Sequence, residues 1–464
     1  MSNKTGYLDR HGVEHAFGDV AEEQKVRSED RGHVFHSWSA QDKIDPVPIA
    51  LAEGCKFWDY SGNEYLDFTS QLVFTNLGHQ QPDLIKAIQN QAGRLATIAP
   101  SFANDVRSEL ATMIVERSFA GARSVFFTNG GAEATENAVR MARIHTGRRK
   151  VLAAYRSYHG STSTAISLTG DPRRWANEPS DNSVVHFFGP YQYRSAFFAE
   201  TEAQETERAL KHLEEVIVLE GANTIAAIML ESVVGTNGIL VPPAGYLPGV
   251  RALCDKYGIV YIADEVMAGF GRFGEWFAFQ AFDVTPDLVT FAKGVNSGVV
   301  PLGGVVISEA IHNTFGERVF PGGLTYSGHP LACAAGVASI EVFERDNILE
   351  HVRDLGERVI RPTVESWVAK HPSLGEARGG GLFWALELVK SQETREPFVP
   401  YNASGPDAAP MMQVVNAAKA VGVWPFVHFN RLHIVPPLTI TEEELREGLA
   451  GFEAALDAAD ALIS

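Results

Sequence analysis

Three short stretches bring together residue types that can share one chemistry. In Ser124-Val-Phe-Phe-Thr-Asn-Gly-Gly-Ala-Glu a strand-like run ends in Asn129-Gly130-Gly131, and Ala134, Ala138, Met141 and Ala142 then recur at helical spacing. Glycines between a strand end and a helix start let backbone N–H groups approach a phosphate, whose charge the helix dipole favours; a plain tight turn needing φ > 0 would use the same residues. In Gly258-Ile-Val-Tyr-Ile-Ala-Asp-Glu-Val the apolar run stops at Asp264-Glu265, where an α/β sheet presents polar groups to a ligand and a carboxylate can keep a heterocyclic nitrogen protonated. A solvated acid at a strand end would read the same. In Pro286-Asp-Leu-Val-Thr-Phe-Ala-Lys-Gly, Lys293 follows a strand and precedes Gly294. Desolvation there lowers an amine's pKa, and a neutral amine attacks carbonyls, although salt-bridging and snorkelling lysines occupy such places too.

Two further patterns are decoys. Gly269-Phe-Gly-Arg-Phe-Gly274 matches a dinucleotide fingerprint, but an aromatic, poorly helical stretch follows it where a helix should open. His11-Gly-Val-Glu-His15 has zinc-protease spacing, but a glycine within a polar arm disfavours the helix that would carry the ligands. No metal site is expected.

The elements that must position these residues read as α/β. Runs at Ser124–Thr128, Lys150–Ala154, Ile225–Leu230, Ile259–Ala263, Leu288–Phe291 and Gly304–Ile307 alternate with longer helical stretches, which predicts a mostly parallel sheet covered on both faces, with functional groups at its carboxyl ends. Residues 1 to about 45 are polar and lack sustained periodicity, as an arm would. Strands are expected around the Ser61-Gly62-Asn63 turn and near Gly381–Leu388. A chain of 464 residues favours two domains, and a formal charge of −18 disfavours nucleic acid and anionic membranes as partners. Cys55, Cys254 and Cys333 fit neither a disulfide framework nor a thiolate metal site, so a reducing cytoplasm is expected. Neither a signal peptide nor a membrane anchor is expected, and the triplets Asn3-Lys-Thr5 and Asn402-Ala-Ser404 are read as chance matches to a glycosylation signal.

Taken in order, these motifs resemble the class III (ω-amino) aminotransferases of the fold-type I pyridoxal-phosphate enzymes. The resemblance runs from about Pro46 to about Thr441. It rests on Asp264-Glu-Val-Met-Ala-Gly-Phe-Gly-Arg-Phe-Gly, on Lys293 lying 29 positions after Asp264, and on Thr325-Tyr-Ser-Gly-His-Pro-Leu-Ala-Cys-Ala-Ala-Gly. It implies an α/β fold with a large domain built on a mostly parallel seven-stranded sheet, and a smaller α+β domain made from both chain ends. The expected division is an arm at 1–45, small-domain segments at 46–75 and 329–464, and a large cofactor domain at 76–328.

The resemblance also implies roles. Lys293 becomes the catalytic lysine that holds pyridoxal 5′-phosphate covalently, and Asp264 the partner of its pyridine nitrogen. Gly130, Gly131 and Ala132 would bind the phosphate, Tyr158 and Val266 would pack on the two ring faces, and Glu231 would sit near the ring oxygen. Thr325 would reach the phosphate of a neighbouring subunit, which implies a homodimer with shared sites, alone or paired into a tetramer. Where family members acting on ornithine-like substrates carry an arginine for the α-carboxylate this chain has His433, and where many ω-amine:pyruvate transaminases carry a second arginine it has Phe426. Val73, Phe74, Phe426 and Arg431 are the candidate substrate contacts, with Trp424 near them and Arg378 as another clamp. The expected reaction moves a terminal amino group from an amine, an ω- or β-amino acid or an aminosulfonate to pyruvate or 2-oxoglutarate by a ping-pong route. Aminomutase and decarboxylase activities are the alternatives within the superfamily, and a non-catalytic cofactor-binding regulator the alternative outside it.

Overall fold

Alternation along the strand Val260–Asp264 sets the layering of the chain. Val260 and Ile262 join an apolar cluster with Ala134, Ala138 and Met141 of the helix Gly131–Thr146, whereas Tyr261 and Ala263 join another with Leu247 and Val250 of the helix Tyr246–Tyr257. Both faces of the strand are thus buried under helices, the arrangement that parallel sheets require. The computed structural model describes residues 4–8, 11–178 and 181–463; Asn3 of the first glycosylation-like triplet and the first residues of the arm lie outside them.

Seven strands form this sheet, in the order Ala122–Thr128, Gly303–Ser308, Leu288–Phe291, Val260–Asp264, Ile225–Glu231, Lys150–Ala154 and Val184–Phe187. Every pairing is parallel except the two made by Gly303–Ser308, which runs against both neighbours. Six of the strands coincide with the sequence reading to within about two residues. The seventh, Val184–Phe187, escaped it because its four residues include His186 and show little alternation.

A second seven-stranded sheet joins the two ends of the chain. Its order is Leu374–Gly380, Phe383–Leu388, Arg431–Ile434, Val423–His428, Glu64–Phe68, Lys56–Asp59 and Ile49–Glu53, with Val423–His428 and Glu64–Phe68 paired in parallel. Its core includes Leu66, Phe68, Trp384, Leu386, Leu432 and Phe452. Within the stretch read as an arm, Val20–His33 is a helix, capped by Asp19 accepting from the Ala21 and Glu22 N–H groups, and Gly6–Leu8 pairs with Glu14–Ala16. That helix buries none of its residues, which is why no apolar period announced it.

One buried cation ties the two sheets together. Arg272, in the false dinucleotide motif, donates to the carbonyls of Leu382 and Pro436, to Ser70 Oγ and to Asn76 Oδ1. The motif itself is a turn, with Gly271 and Gly274 at φ +88° and +93° and the Phe270 N–H donating to the Trp276 carbonyl. Among the described residues no helix is long and apolar enough to cross a membrane.

Candidate active site

Lys293 sits where the strand Leu288–Phe291 ends, at φ +42°, a left-handed backbone that a lysine rarely adopts. The next positive φ values are at Ser297 (+56°) and Gly298 (+70°), so the chain turns sharply and aims the lysine into a cavity of about 440 Å³. The wall also contains Asn129, Gly130, Gly131, Ala132, Tyr158, His159, Glu231, Asp264 and Val266. Glu231 and Asp264 end neighbouring parallel strands and lie opposite each other in register. Sheet geometry therefore brings together three groups far apart in sequence.

Desolvation is the largest influence on Lys293 and lowers its pKa; Asp264 and Glu231 oppose that, and the positive charge of Arg173 adds to it. The balance leaves an amine that is neutral more readily than a free lysine. Asp264 is fixed on every side: His159 Nδ1 lies 2.6 Å from its Oδ2, while the Val266 N–H (3.0 Å) and the Thr290 hydroxyl (3.2 Å) donate to Oδ1. Desolvation opposes charge on the fully buried His159, but the hydrogen bond and charge of Asp264 win and hold its pKa above the ordinary value. Burial likewise pushes Glu231 up to about 7 although it accepts from the Tyr158 and Gly235 N–H groups at 2.9 and 2.7 Å.

Gly130 and Gly131 open the helix Gly131–Thr146, whose first internal bond is the Ala134 N–H to the Gly130 carbonyl. The N–H groups of Gly131 and Ala132 precede it and are the helix donors left for an anion. Close packing explains the glycines. A Cβ on Gly131 would meet Val266 at 2.8 Å, and one on Gly160, at φ +132°, would meet Ala132 at 2.6 Å.

Of the sequence-derived substrate contacts, Phe74 lines the cavity, but Val73 lies behind it, 1% exposed, packed with Met267 and Val435. Phe426 packs on His433 at 5.0 Å between ring centroids, outside the cavity wall. Arg431 donates to Glu387 at 3.2 Å, and Arg378 and Arg194 share that carboxylate, so the proposed clamps are occupied in a buried ion cluster. Trp424 faces Phe57, Tyr65 and Lys419. Thr325 is exposed and does not line its own chain's cavity.

Sequence reasoning missed Trp38, Thr236, Met267 and Leu302 on the wall. Trp38 belongs to the supposed arm yet meets Tyr158 edge-on at 6.4 Å. His159 was visible inside Ser157-Tyr-His-Gly160; a histidine next to an aromatic that faces a ring was the available signal.

A hydrogen-bonded carboxylate, a desolvated lysine and a glycine-opened helix N-terminus in one cavity fit pyridoxal phosphate, which offers a ring nitrogen, a carbonyl and a phosphate to such groups. Residues 38–456 match the model of the family described as Aminotransferase class-III. The chain belongs to that family. It is 33% identical over 447 residues to a taurine–pyruvate aminotransferase of Bilophila wadsworthia, covering 92% of this chain and 95% of the relative. The fold matches a taurine:2-oxoglutarate aminotransferase from Bifidobacterium kashiwanohense, solved with pyridoxal phosphate and glutamate, at TM-score 0.92 and 45% identity over 95% of this chain and 99% of the other. It also matches an (S)-enantioselective omega-transaminase from Thermomicrobium roseum at TM-score 0.88 and 34% identity, over 94% and 98%. This class-III aminotransferase is a fold-type I, pyridoxal-phosphate-dependent enzyme that transfers amino groups to keto acids. These named relatives are all aminotransferases.

Proposed function

We propose that this aminotransferase takes a terminal amino group from an ω- or β-amino acid, an aminosulfonate or a related amine, and passes it to pyruvate or 2-oxoglutarate. The observation that carries the donor class is His433: it fills the place of the family's α-carboxylate arginine, is fully buried, and has neither ring nitrogen hydrogen-bonded among the described residues. Desolvation is the main cause of a pKa far below the ordinary histidine value, so it offers no positive charge to an α-carboxylate. The similarity to taurine aminotransferases supports the same donor class.

When bound, pyridoxal phosphate supplies a carbonyl that takes the amine and a protonated ring that draws electrons from the adjacent carbon. Lys293 Nζ is the group that would hold it and then, neutral and free, remove the proton from the amine-bearing carbon of the substrate. Asp264, oriented by His159 and Thr290, would keep the ring nitrogen protonated. The N–H groups of Gly130, Gly131 and Ala132 would take the phosphate, Tyr158 and Val266 would flank the ring, and Glu231 would face its oxygen. Phe74, Trp38 and Met267 add apolar surface to the cavity wall.

On the same reading the chain divides at 1–45, 46–75, 76–328 and 329–464, a division that the two sheets support. Thr325, exposed in its own chain, would act in a partner's site within a homodimer. Three buried, unpaired cysteines suit a cytoplasmic location. The test is a donor screen that follows the cofactor's absorbance in single half-reactions. Terminal amines and ω-amino acids should discharge it, Lys293→Ala should lower turnover about 10⁴-fold, and turnover with ornithine α-nitrogen or other α-amino donors alone would refute the donor class.

A further inference from the structure

The loop after the strand Ile225–Glu231 touches the cavity at one end and the second sheet at the other. At the cavity end the Gly235 N–H donates to Glu231 at 2.7 Å, and Thr236 lines the wall. A Cβ on Gly235 would collide with Sδ of Met267, another wall residue. The loop is closed on itself: the Gly238 and Ile239 N–H groups both donate to the Gly235 carbonyl at 3.0 Å, and Val234 bridges Leu240. At the far end Gly238, at φ +124°, offers its carbonyl to Arg378 Nε at 2.7 Å, while Asn237 donates to Asp171 at 3.1 Å.

Arg378 belongs to the strand Leu374–Gly380 of the second sheet and does not line the cavity. Its guanidinium divides three nitrogens among three acceptors: Nε serves the Gly238 carbonyl, Nη1 serves Glu376, and Nη2 serves Glu387 at 2.9 Å. A planar fork reaches all three at once, whereas the single nitrogen of a lysine cannot span them. Two carboxylates therefore fix the arginine, and the arginine fixes the loop. The contact has no slack, since a Cβ on Gly238 would meet Arg431 Cδ at 2.7 Å and Arg378 Nη2 at 2.8 Å.

We propose that Arg378 is a positioning residue for the reaction: by holding the Gly238 carbonyl it keeps the Gly235 N–H on the Glu231 carboxylate and Thr236 in the cavity wall. The effect on the cofactor rests on the place given to Glu231 above. A backbone N–H on a carboxylate favours its charged form, so losing that bond makes Glu231 hold its proton more firmly. His159, Asp264 and Lys293 also face Glu231, and Arg156 shares a small cavity with it. None of these four is bonded to Arg378, so a change at Arg378 reaches Glu231 through the loop.

The test reads the Glu231 carboxyl itself. Infrared difference spectra against Glu231→Gln, taken on the holoenzyme and on the cofactor-free full chain, give the pH at which the protonated carboxyl band is half lost. Arg378→Lys keeps a charge between Glu376 and Glu387 but gives up the grip on Gly238. It is expected to move that midpoint up by about one pH unit. Gly238→Ala, which crowds the same contact from the loop side, should move it the same way, and it decides the matter if Arg378→Lys does not fold. Glu376→Gln removes an ion pair from the same arginine but spares the carbonyl bond, and should leave the midpoint in place. A role confined to joining the two sheets would lower the unfolding temperature of Arg378→Lys without moving the midpoint. That result would overturn the proposal, as would an equal shift in Glu376→Gln. If Glu231→Gln leaves the cofactor absorbance unchanged at every pH, the place given to Glu231 fails, but the infrared midpoint of the cofactor-free chain still decides the role of Arg378.

Discussion

At the scale of single residues, the site depends on burying groups that water would charge. Lys293, Glu231 and Glu265 are all displaced from their ordinary titration, with burial as the first cause in each. Glu265 stands beside Asp264 but faces away from the ligand: it accepts from the Ala278 and Phe279 N–H groups at 2.8 and 2.9 Å and so anchors the turn after the Gly269–Gly274 motif. Burial raises its pKa from 4.5 to about 7. The folded state therefore holds the proton more tightly than the unfolded chain, and this contribution to stability is complete below 4.5 and lost as pH rises through about 7. In Glu265→Gln, which cannot titrate, the fall in unfolding free energy between about pH 4.5 and about pH 8 should be smaller by roughly 3 kcal/mol. Urea unfolding of the cofactor-free protein at the two pH values measures it. An identical fall in both proteins would mean that Glu265 is not the group responsible.

At the scale of elements, strand ends bring Glu231, Asp264 and Lys293 to the cavity, and one helix start turns its first N–H groups toward it. The packing that makes this possible is tight where Gly160 passes the first turn of the helix Gly131–Thr146. At φ +132°, with Ala132 Cβ 2.6 Å from any added Cβ, Gly160 admits no side chain without moving that turn. Gly160→Ala should therefore cost about 2 kcal/mol or more of stability and weaken cofactor retention, because the displaced residue, Ala132, is one of those offered to the phosphate. Thermal unfolding with and without added pyridoxal phosphate separates the two effects. A variant that keeps cofactor affinity would show that the helix start does not carry the phosphate.

At the scale of the whole molecule, Arg272 and the second sheet fix the chain ends against the first sheet, while Thr325 remains exposed. If Thr325 completes a partner's site, Lys293→Ala in one chain and Thr325→Arg in the other fall in the same site of a mixed dimer, whose second site then has both residues intact. Co-refolding equal amounts of the two inactive variants should restore about a quarter of wild-type activity, since random pairing makes half the dimers mixed and each has one good site in two. Activity no higher than the sum of the separate variants would place Thr325 in its own chain's site.

The sequence by itself determined the α/β class and six strands of the first sheet, and it put forward Gly130, Gly131, Asp264 and Lys293 as candidates, which the fold brings to one cavity. Each is written locally, in an apolar run and the residue type that ends it. Only tertiary structure decided the rest. The helix Val20–His33 has no buried face to leave a pattern, and Trp38 reaches Tyr158 by a fold-back that spacing does not encode. Arg431 has the strand position of a substrate clamp, yet Glu387, directly across on the neighbouring strand, takes its charge. Arg173, unremarked in sequence, lies against the Tyr158 ring, with Asp171 fixing one edge of its guanidinium. Charges are matched across strands by register, and register is a property of the folded sheet.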